Sequence, residues 1–251
     1  MTDRSRFRRQ AVLLDAMGTL LRLEDPAPRL RAALCTRLGI DVGPEAAAAA
    51  IRVEIAFYRA HLHLGRDPDA LAALRERCAE AMRPSLPARA QAAPGATLTA
   101  ALLDALAFSP HPDAAPALRA LRSAGCVLVV VSNWDCSLHE RLAETGLAPL
   151  VDAAVASAEL GAAKPARAIF ERALELAGSV RECAWHVGDS PREDVEGART
   201  AGIRPVLLAR GGHHPGPGAQ QPPPPAGVPV LRSLSDLPAL VARAAPYAVR
   251  R

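Results

Sequence analysis

Lysine is almost missing from this 251-residue chain: of the 30 basic residues 29 are arginine, and the single lysine is Lys164. Aromatic residues are scarce too, at 3% against 50% hydrophobic overall. A core must therefore be assembled from small aliphatic side chains, with 54 alanines the largest group, a composition that favours helices over sandwiches. Long apolar runs are absent; stretches such as 127–131 fall far short of the roughly 20 residues a membrane span needs, so no membrane partner is expected. The arginine-rich start, with Arg4, Arg6, Arg8 and Arg9, leads into only four apolar residues before Asp15, too few for a secretion signal. A cytoplasmic location is the expectation. Cys35, Cys78, Cys126, Cys136 and Cys183 form an odd set without a CxxC pair, which suits neither a disulfide framework nor a zinc site and reads as reduced thiols. The net charge of +4 comes from basic residues scattered through helical segments without aromatics between them, so no nucleic-acid partner is expected.

What is present is an alternation of short aliphatic runs with helical patterns, the mark of βαβ units around a parallel sheet. The runs lie at 11–14, 126–131, 151–157, 183–187 and 203–209. Helices are expected at 135–145, 165–177 and 191–201, with Gly146, Gly178 and Gly202 as C-terminal stops. About 110 residues separate the first run from the second, and they carry their own helical periodicity at 26–38, 44–60, 68–82 and 96–106, several segments opening on proline. The fold class expected is α/β: a Rossmann-like doubly wound parallel sheet core, over 9–21 and 111–245, with an inserted α-helical cap subdomain over 22–110. The Pro/Gly-rich stretch 211–229 reads as a surface loop. His213 and His214 within it are poorly scaffolded for metal. Val230-Leu231 and a helix over 235–243 capped by Ser235 close the chain.

In open parallel sheets ligands bind beyond the carboxyl ends of the strands, and polar residues gather at those positions here. The first run delivers Asp15, Gly18 and Thr19, the second Ser132 and Asn133, and the fourth Asp189 with Asp194 five residues on. The loop before a crossover helix delivers Lys164. An all-Arg chain that keeps one lysine suggests a site needing a compact ammonium point charge. A strand-end Asp can serve as a covalent nucleophile. Grouped carboxylates repel one another unless a cation intervenes, and oxygen-only ligands favour Mg²⁺. Asp15 and Asp189 would be direct ligands, and Asp194 direct or through water. Ser132, with backbone N–H groups, would hold phosphate oxygens, while Lys164 balances charge on substrate and on Asp15. Positioning and charge stabilisation of this kind are what phosphoryl transfer needs.

DAMGTL at 15–20, Ser132-Asn133, AKPARAIF at 163–170 and HVGDSPREDVEGARTAG at 186–202 resemble, in order and spacing, the four motifs of the haloacid dehalogenase-like hydrolase superfamily. The resemblance is close over 11–20 and 113–209. The helical insert resembles the cap of the subfamily whose cap lies between the first and second motifs. Position by position, the resemblance implies Asp15 as nucleophile and metal ligand, and Thr19, Ser132 and Lys164 as stabilisers of phosphate or intermediate. It also implies Gly18 and Asn133 among the substrate contacts, and Asp189 and Asp194 as the acidic metal motif. A small phosphorylated substrate and Mg²⁺ follow as expectations.

One departure stands out. Phosphatases of this superfamily usually carry a second Asp two residues after the nucleophile, as the acid that protonates the leaving oxygen; here that residue is Met17. Its backbone carbonyl remains available to a metal, but a thioether cannot transfer protons, and such assistance is worth roughly 10²–10⁴-fold. Members that displace halide also lack this Asp, so a metal-independent 2-haloacid dehalogenase is an alternative, although that branch lacks the Asp189 and Asp194 pattern. A weakly catalytic phospho-ligand or partner-binding protein is another. The phosphonate-cleaving branch needs a cap lysine, and the insert has none. Tyr58, Arg59, His61 and Trp134 are the candidates for setting the substrate. No sequence feature sets an oligomeric state.

Overall fold

Four aliphatic residues at Ala11–Leu14 (β1) are buried on both faces, as a central strand of a parallel sheet must be. The computed structural model describes residues 9–210 and 226–243; Arg4, Arg6, Arg8, His213 and His214 lie outside them, with all of the 211–229 loop except its last four residues. After β1 come β2 (Leu21–Leu23), α1 (Pro26–Leu38), α2 (Pro44–His61), α3 (Pro68–Met82), α4 (Ala88–Gln91), α5 (Gly95–Ala105) and β3 (Phe108–Pro110). The chain continues through α6 (Ala114–Ser123), β4 (Val127–Ser132), α7 (Leu138–Glu144), β5 (Ala153–Ala156), α8 (Ser157–Leu160), α9 (Arg167–Ala177) and β6 (Ala184–Gly188). A π-helical turn at Pro191–Glu196 runs into α10 (Gly197–Thr200), and β7 (Arg204–Leu208), β8 (Val230–Leu231) and α11 (Leu237–Arg243) follow.

The described residues divide into two units, one built from those up to Arg22, from Pro110–Asn133 and from Leu138 onward, the other from Leu23–Ser109 with Trp134–Ser137. The first unit holds a parallel sheet in the order β5-β4-β1-β6-β7-β8. The chain steps outward from β1 through β4 to β5, then crosses to the other side of β1 for β6, so the topological switch lies where β4, β1 and β6 are neighbours. Leu13, Val129, Val131, Ile169, Phe170 and Ile203 pack into one core layer of this sheet. Gly146, Gly178 and Gly202 adopt φ of 71°, 56° and 76°, ending their helices as expected.

The second unit is helical. Pro26, Pro44 and Pro68 each occupy a first helical position, and Asp25 and Asp67 cap α1 and α3 by accepting from Ala27 N and Ala70 N. Its core sets Leu30, Leu34, Ile51, Leu74, Met82, Leu98 and Leu102 among alanines 47, 50, 79 and 101. The Trp134–Ser137 segment, which the sequence places in the sheet core, belongs here: Tyr58 donates to Asp135 Oδ2 at 2.7 Å and Cys136 N to Gly65 O at 2.8 Å. That segment is held as a turn by Ser137 N donating to Asp135 Oδ1, so α7 starts at Leu138, not at 135. Strands β2 and β3 form a separate two-stranded sheet without counterpart in the sequence reading.

The closing helix is capped differently from expectation. Ser233, not Ser235, provides the side-chain acceptor, and a 3₁₀ turn at Leu234–Asp236 precedes α11. Ser233 is itself tied to Asp113, whose carboxylate accepts from Ser233 Oγ, from Leu234 N and from both Nη atoms of Arg210. Burial pushes the Asp113 carboxyl upward, but these donors outweigh it and hold it at about 2. The Asp113→Ala variant should lose about 2 kcal/mol of stability, read as a lowered midpoint in denaturant at pH 7. Because the unfolded carboxyl binds its proton at higher pH than the folded one, this contribution fades as pH falls from about 4 to 2. The difference between wild type and variant should shrink over the same range.

Candidate active site

The turn that follows β1 is set by Gly18. Its φ of +79° is open to glycine, and a Cβ there would stand 2.2 Å from Asp189 Oδ2, so the missing side chain gives the Asp189 carboxylate its place. Leu20 N and Leu21 N donate to Ala16 O while Gly18 N donates to Leu21 O, all at 2.8 Å. None of these bonds uses the Met17 carbonyl. On the opposite edge of β1, β4 ends at Ser132, whose hydroxyl donates to Asp15 Oδ1 at 3.0 Å.

Lys164 Nζ lies 2.6 Å from Asp15 Oδ1 and 2.6 Å from Asp194 Oδ1, with its side chain 1% exposed. Asp194 is brought there by the π-helical turn after β6: its Oδ2 accepts from Ser190 N at 2.9 Å, and its Oδ1 also accepts from His186 Nε2 at 2.9 Å. Gly188 makes room for it, since a Cβ at that position would lie 2.1 Å from the Asp194 carboxyl carbon. Asp189 completes an acidic cluster in which one oxygen each of Asp15, Asp189 and Asp194 lies within 4.8 Å of the others.

Three carboxylates face one ammonium. Burial alone would make both Asp194 and Lys164 less charged, yet the charges around them win: Lys164 and His186 hold Asp194 well below the usual carboxylate range, and Asp15 with Asp194 holds Lys164 above the usual amine range. Asp15 is displaced upward, chiefly by burial and also by Asp194, against the pull of Lys164. Half-buried Asp189 has no ammonium of its own, and burial with the charges of Asp15 and Asp194 pushes it up to about 7. A further cation would remove this conflict, and oxygen-only donors at this spacing suit a hard divalent ion. Thr19 Oγ1 is buried without a hydrogen-bond partner among the described residues, an arrangement rare for a buried polar atom.

The structure brings Asp15, Ser132, Asn133, Lys164, Asp189 and Asp194 together at the ends of β1, β4 and β6. The Gly18 N–H donates to Leu21 O, and the missing Gly18 side chain leaves space for Asp189. The Asn133 side-chain amide meets the Lys164 main chain, accepting from Lys164 N at 2.7 Å and donating to Lys164 O at 3.0 Å, which clamps the lysine main chain as a strand neighbour would. Sequence reasoning passed over His186, whose position inside an apolar strand offers no signal except its polarity. In the helical unit, Trp134 packs against Phe108 and His61 stacks on Phe57.

A family model described as haloacid dehalogenase-like hydrolase matches residues 10–202. The chain belongs to the haloacid dehalogenase-like hydrolase family. Among curated relatives, this hydrolase is 38% identical over 102 residues to a phosphoserine phosphatase of Thermus thermophilus, covering 40% of this chain and 41% of that one. It is 34% identical over 120 residues to the pyrimidine 5'-nucleotidase YjjG of Escherichia coli, covering 47% and 52%. The chain thus spans about two fifths to half the length of these relatives. Among solved structures, a 2-haloacid dehalogenase of Pseudomonas syringae superimposes with a TM-score of 0.63 at 25% identity, covering 94% of this chain and 100% of that one. No helix among the described residues of the hydrolase is long and apolar enough to cross a membrane.

The raised Asp189 carboxyl makes a stability prediction for the hydrolase in chelator. Between pH 4 and 7 the folded protein holds a proton on Asp189 that the unfolded chain releases, so stability should fall as pH rises through that window. Thermal melts across this range should show the decline, and Asp189→Asn should flatten it. An added divalent cation should raise the melting temperature most at the high-pH end, by binding the native state alone.

Proposed function

We propose that this hydrolase is a Mg²⁺-dependent phosphohydrolase that acts on a small phosphorylated metabolite through an aspartyl-phosphate on Asp15. The observation that carries the reading is the acidic cluster of Asp15, Asp189 and Asp194, which has more negative charge than Lys164 can balance. The phosphatase and nucleotidase names of its curated relatives support the same class. Mg²⁺ would be held by Asp15, by Asp189 and by the Met17 carbonyl, with Asp194 direct or through water, and when bound it supplies charge neutralisation and a hold on phosphoryl oxygen. The residues present fit such an ion, being oxygen donors of which Asp189 is the least compensated.

The chain's own groups divide the remaining work. Ser132 and Lys164 both bind Asp15 Oδ1, which fixes the carboxylate plane and leaves Oδ2 without a donor among the described residues. A carboxylate oxygen of Asp15 attacks phosphorus as the bond from phosphorus to the leaving alkoxide oxygen breaks. Lys164 offsets charge on Asp15 and on the phosphoryl group, and the unpaired Thr19 hydroxyl is a donor for a phosphoryl oxygen. Water then attacks the phosphorus of the acyl phosphate, releasing phosphate and restoring the Asp15 carboxylate. Met17 can neither protonate the leaving oxygen nor activate the water, so both protons are exchanged with solvent or with substrate, and turnover is slow for this class.

Met17 also favours a second reading, 2-haloacid dehalogenation, in which halide leaves without a proton; the Pseudomonas syringae neighbour supports it. Phosphate release from a panel of small phosphoesters, with Mg²⁺ and with chelator, separates the two. Metal-dependent release that falls at least about 10²-fold in Asp15→Asn is the expected outcome. Halide release from haloacids in chelator, with no phosphate from any ester, would replace the proposal by the second reading. Met17→Asp should raise phosphatase turnover by up to about 10²-fold, the lower end of what acid–base assistance supplies; no gain in a folded variant would mean that proton transfer does not limit the rate.

A further inference from the structure

We infer that His186 is a positioning residue for Lys164: its Nε2–H holds Asp194 in the orientation that presents the lysine ammonium to Asp15. The inference rests on the reading of Asp15 as the reacting carboxylate, but its geometry does not. His186 lies in β6, fully buried, with its ring edge-on to Phe170 at a centroid distance of 5.0 Å. A carboxylate at 2.9 Å can only accept, so the proton must sit on Nε2. The other ring nitrogen, Nδ1, is buried with no partner among the described residues. A position serving packing alone would be filled better by an aliphatic side chain, which leaves no polar atom unsatisfied. The cost of the orphaned Nδ1 is set against what Nε2 does.

What Nε2 does is fix one oxygen. Asp194 Oδ1 takes the hydrogen bonds of both His186 and Lys164, while Oδ2 takes only that of Ser190 N. Rotation about the terminal torsion of an Asp is soft and roughly two-fold, so the Ser190 bond by itself would leave the carboxylate free to swing. With His186 in place, Oδ1 is held toward Nζ, and Nζ is held between two carboxylates at 2.6 Å each. Asn133 fixes the same lysine at its main chain. The ammonium is thus set from both ends, and His186 acts at one remove, through Asp194.

Because Lys164 is the only lysine in the chain, incorporation of ζ-¹⁵N lysine yields a single side-chain resonance, and the ammonium can be watched in the full-length protein without substrate. Wild type should give a slowly exchanging ammonium signal. His186→Leu, which keeps bulk and loses the donor, should lose that signal or exchange about tenfold faster or more, and should lower kcat by about 10–100-fold with little change in KM, in line with other outer residues of polar sites. His186→Gln, which can still donate to Asp194, should restore both. An unchanged ammonium signal in folded His186→Leu overturns the inference, as does loss of the signal in folded His186→Gln. Should His186→Leu fail to fold, the wild-type imidazole decides. Long-range ¹H–¹⁵N correlations must show Nε2 protonated, and a proton carried by Nδ1 alone overturns the inference. A normal ammonium response in a protein without phosphatase activity would refute the proposed function and leave the role of His186 standing.

Discussion

The candidate site depends on one ammonium group placed between two buried carboxylates. Lys164 Nζ bridges Asp15, at the end of the central strand, and Asp194, in the turn after β6, and each partner would be costly to bury without it. Removing one member of a buried pair typically costs about 3–5 kcal/mol, because the charge left behind has no compensation. The rest of the site follows from keeping this bridge in place. Asn133 fixes the lysine backbone, the π-helical turn delivers Asp194, Gly188 clears room for its carboxylate, and Ser132 holds the shared Asp15 oxygen. A planar guanidinium has a different shape and spread of charge, which gives a physical reason for one lysine to persist in a chain that otherwise uses arginine.

The bridge neutralises one charge and leaves Asp189 exposed to the field of its neighbours. Under the proposed function that imbalance links structure to chemistry: surplus carboxylate oxygen and a buried Thr19 hydroxyl, without a partner among the described residues, would receive a cation and an oxyanion. Met17 pulls the other way, since it withholds the proton that an alcohol leaving group needs. The site, on the proposed function, therefore joins strong electrostatic positioning to weak proton transfer.

Much of this could be read from the sequence wherever the signal is local. Helices α1 and α3 begin and end where proline at the first position and apolar periodicity place them, and β1 follows from four consecutive aliphatic residues before a polar stop. Local signals failed where a partner distant in sequence decides. The Ser233 cap depends on Asp113, 120 residues earlier, and the Asn133 side-chain amide is engaged by the Lys164 main chain, 31 residues on. The Gly18 N–H is consumed by a tight turn whose closure shows only in three dimensions. Strands β2 and β3 are three residues each, too short for a period of two to declare itself. The type of each site residue was readable because strand ends are recognisable; the direction in which each side chain points was not.

The most direct test of the central claim is to quench the protein in acid during turnover of a phosphoester with Mg²⁺, reduce it with borohydride and map the product by mass spectrometry. An acyl phosphate is reduced to an alcohol, so the account predicts homoserine at position 15 and nowhere else. An unmodified Asp15 under conditions of steady phosphate release, or reduction at a different carboxylate, would contradict it.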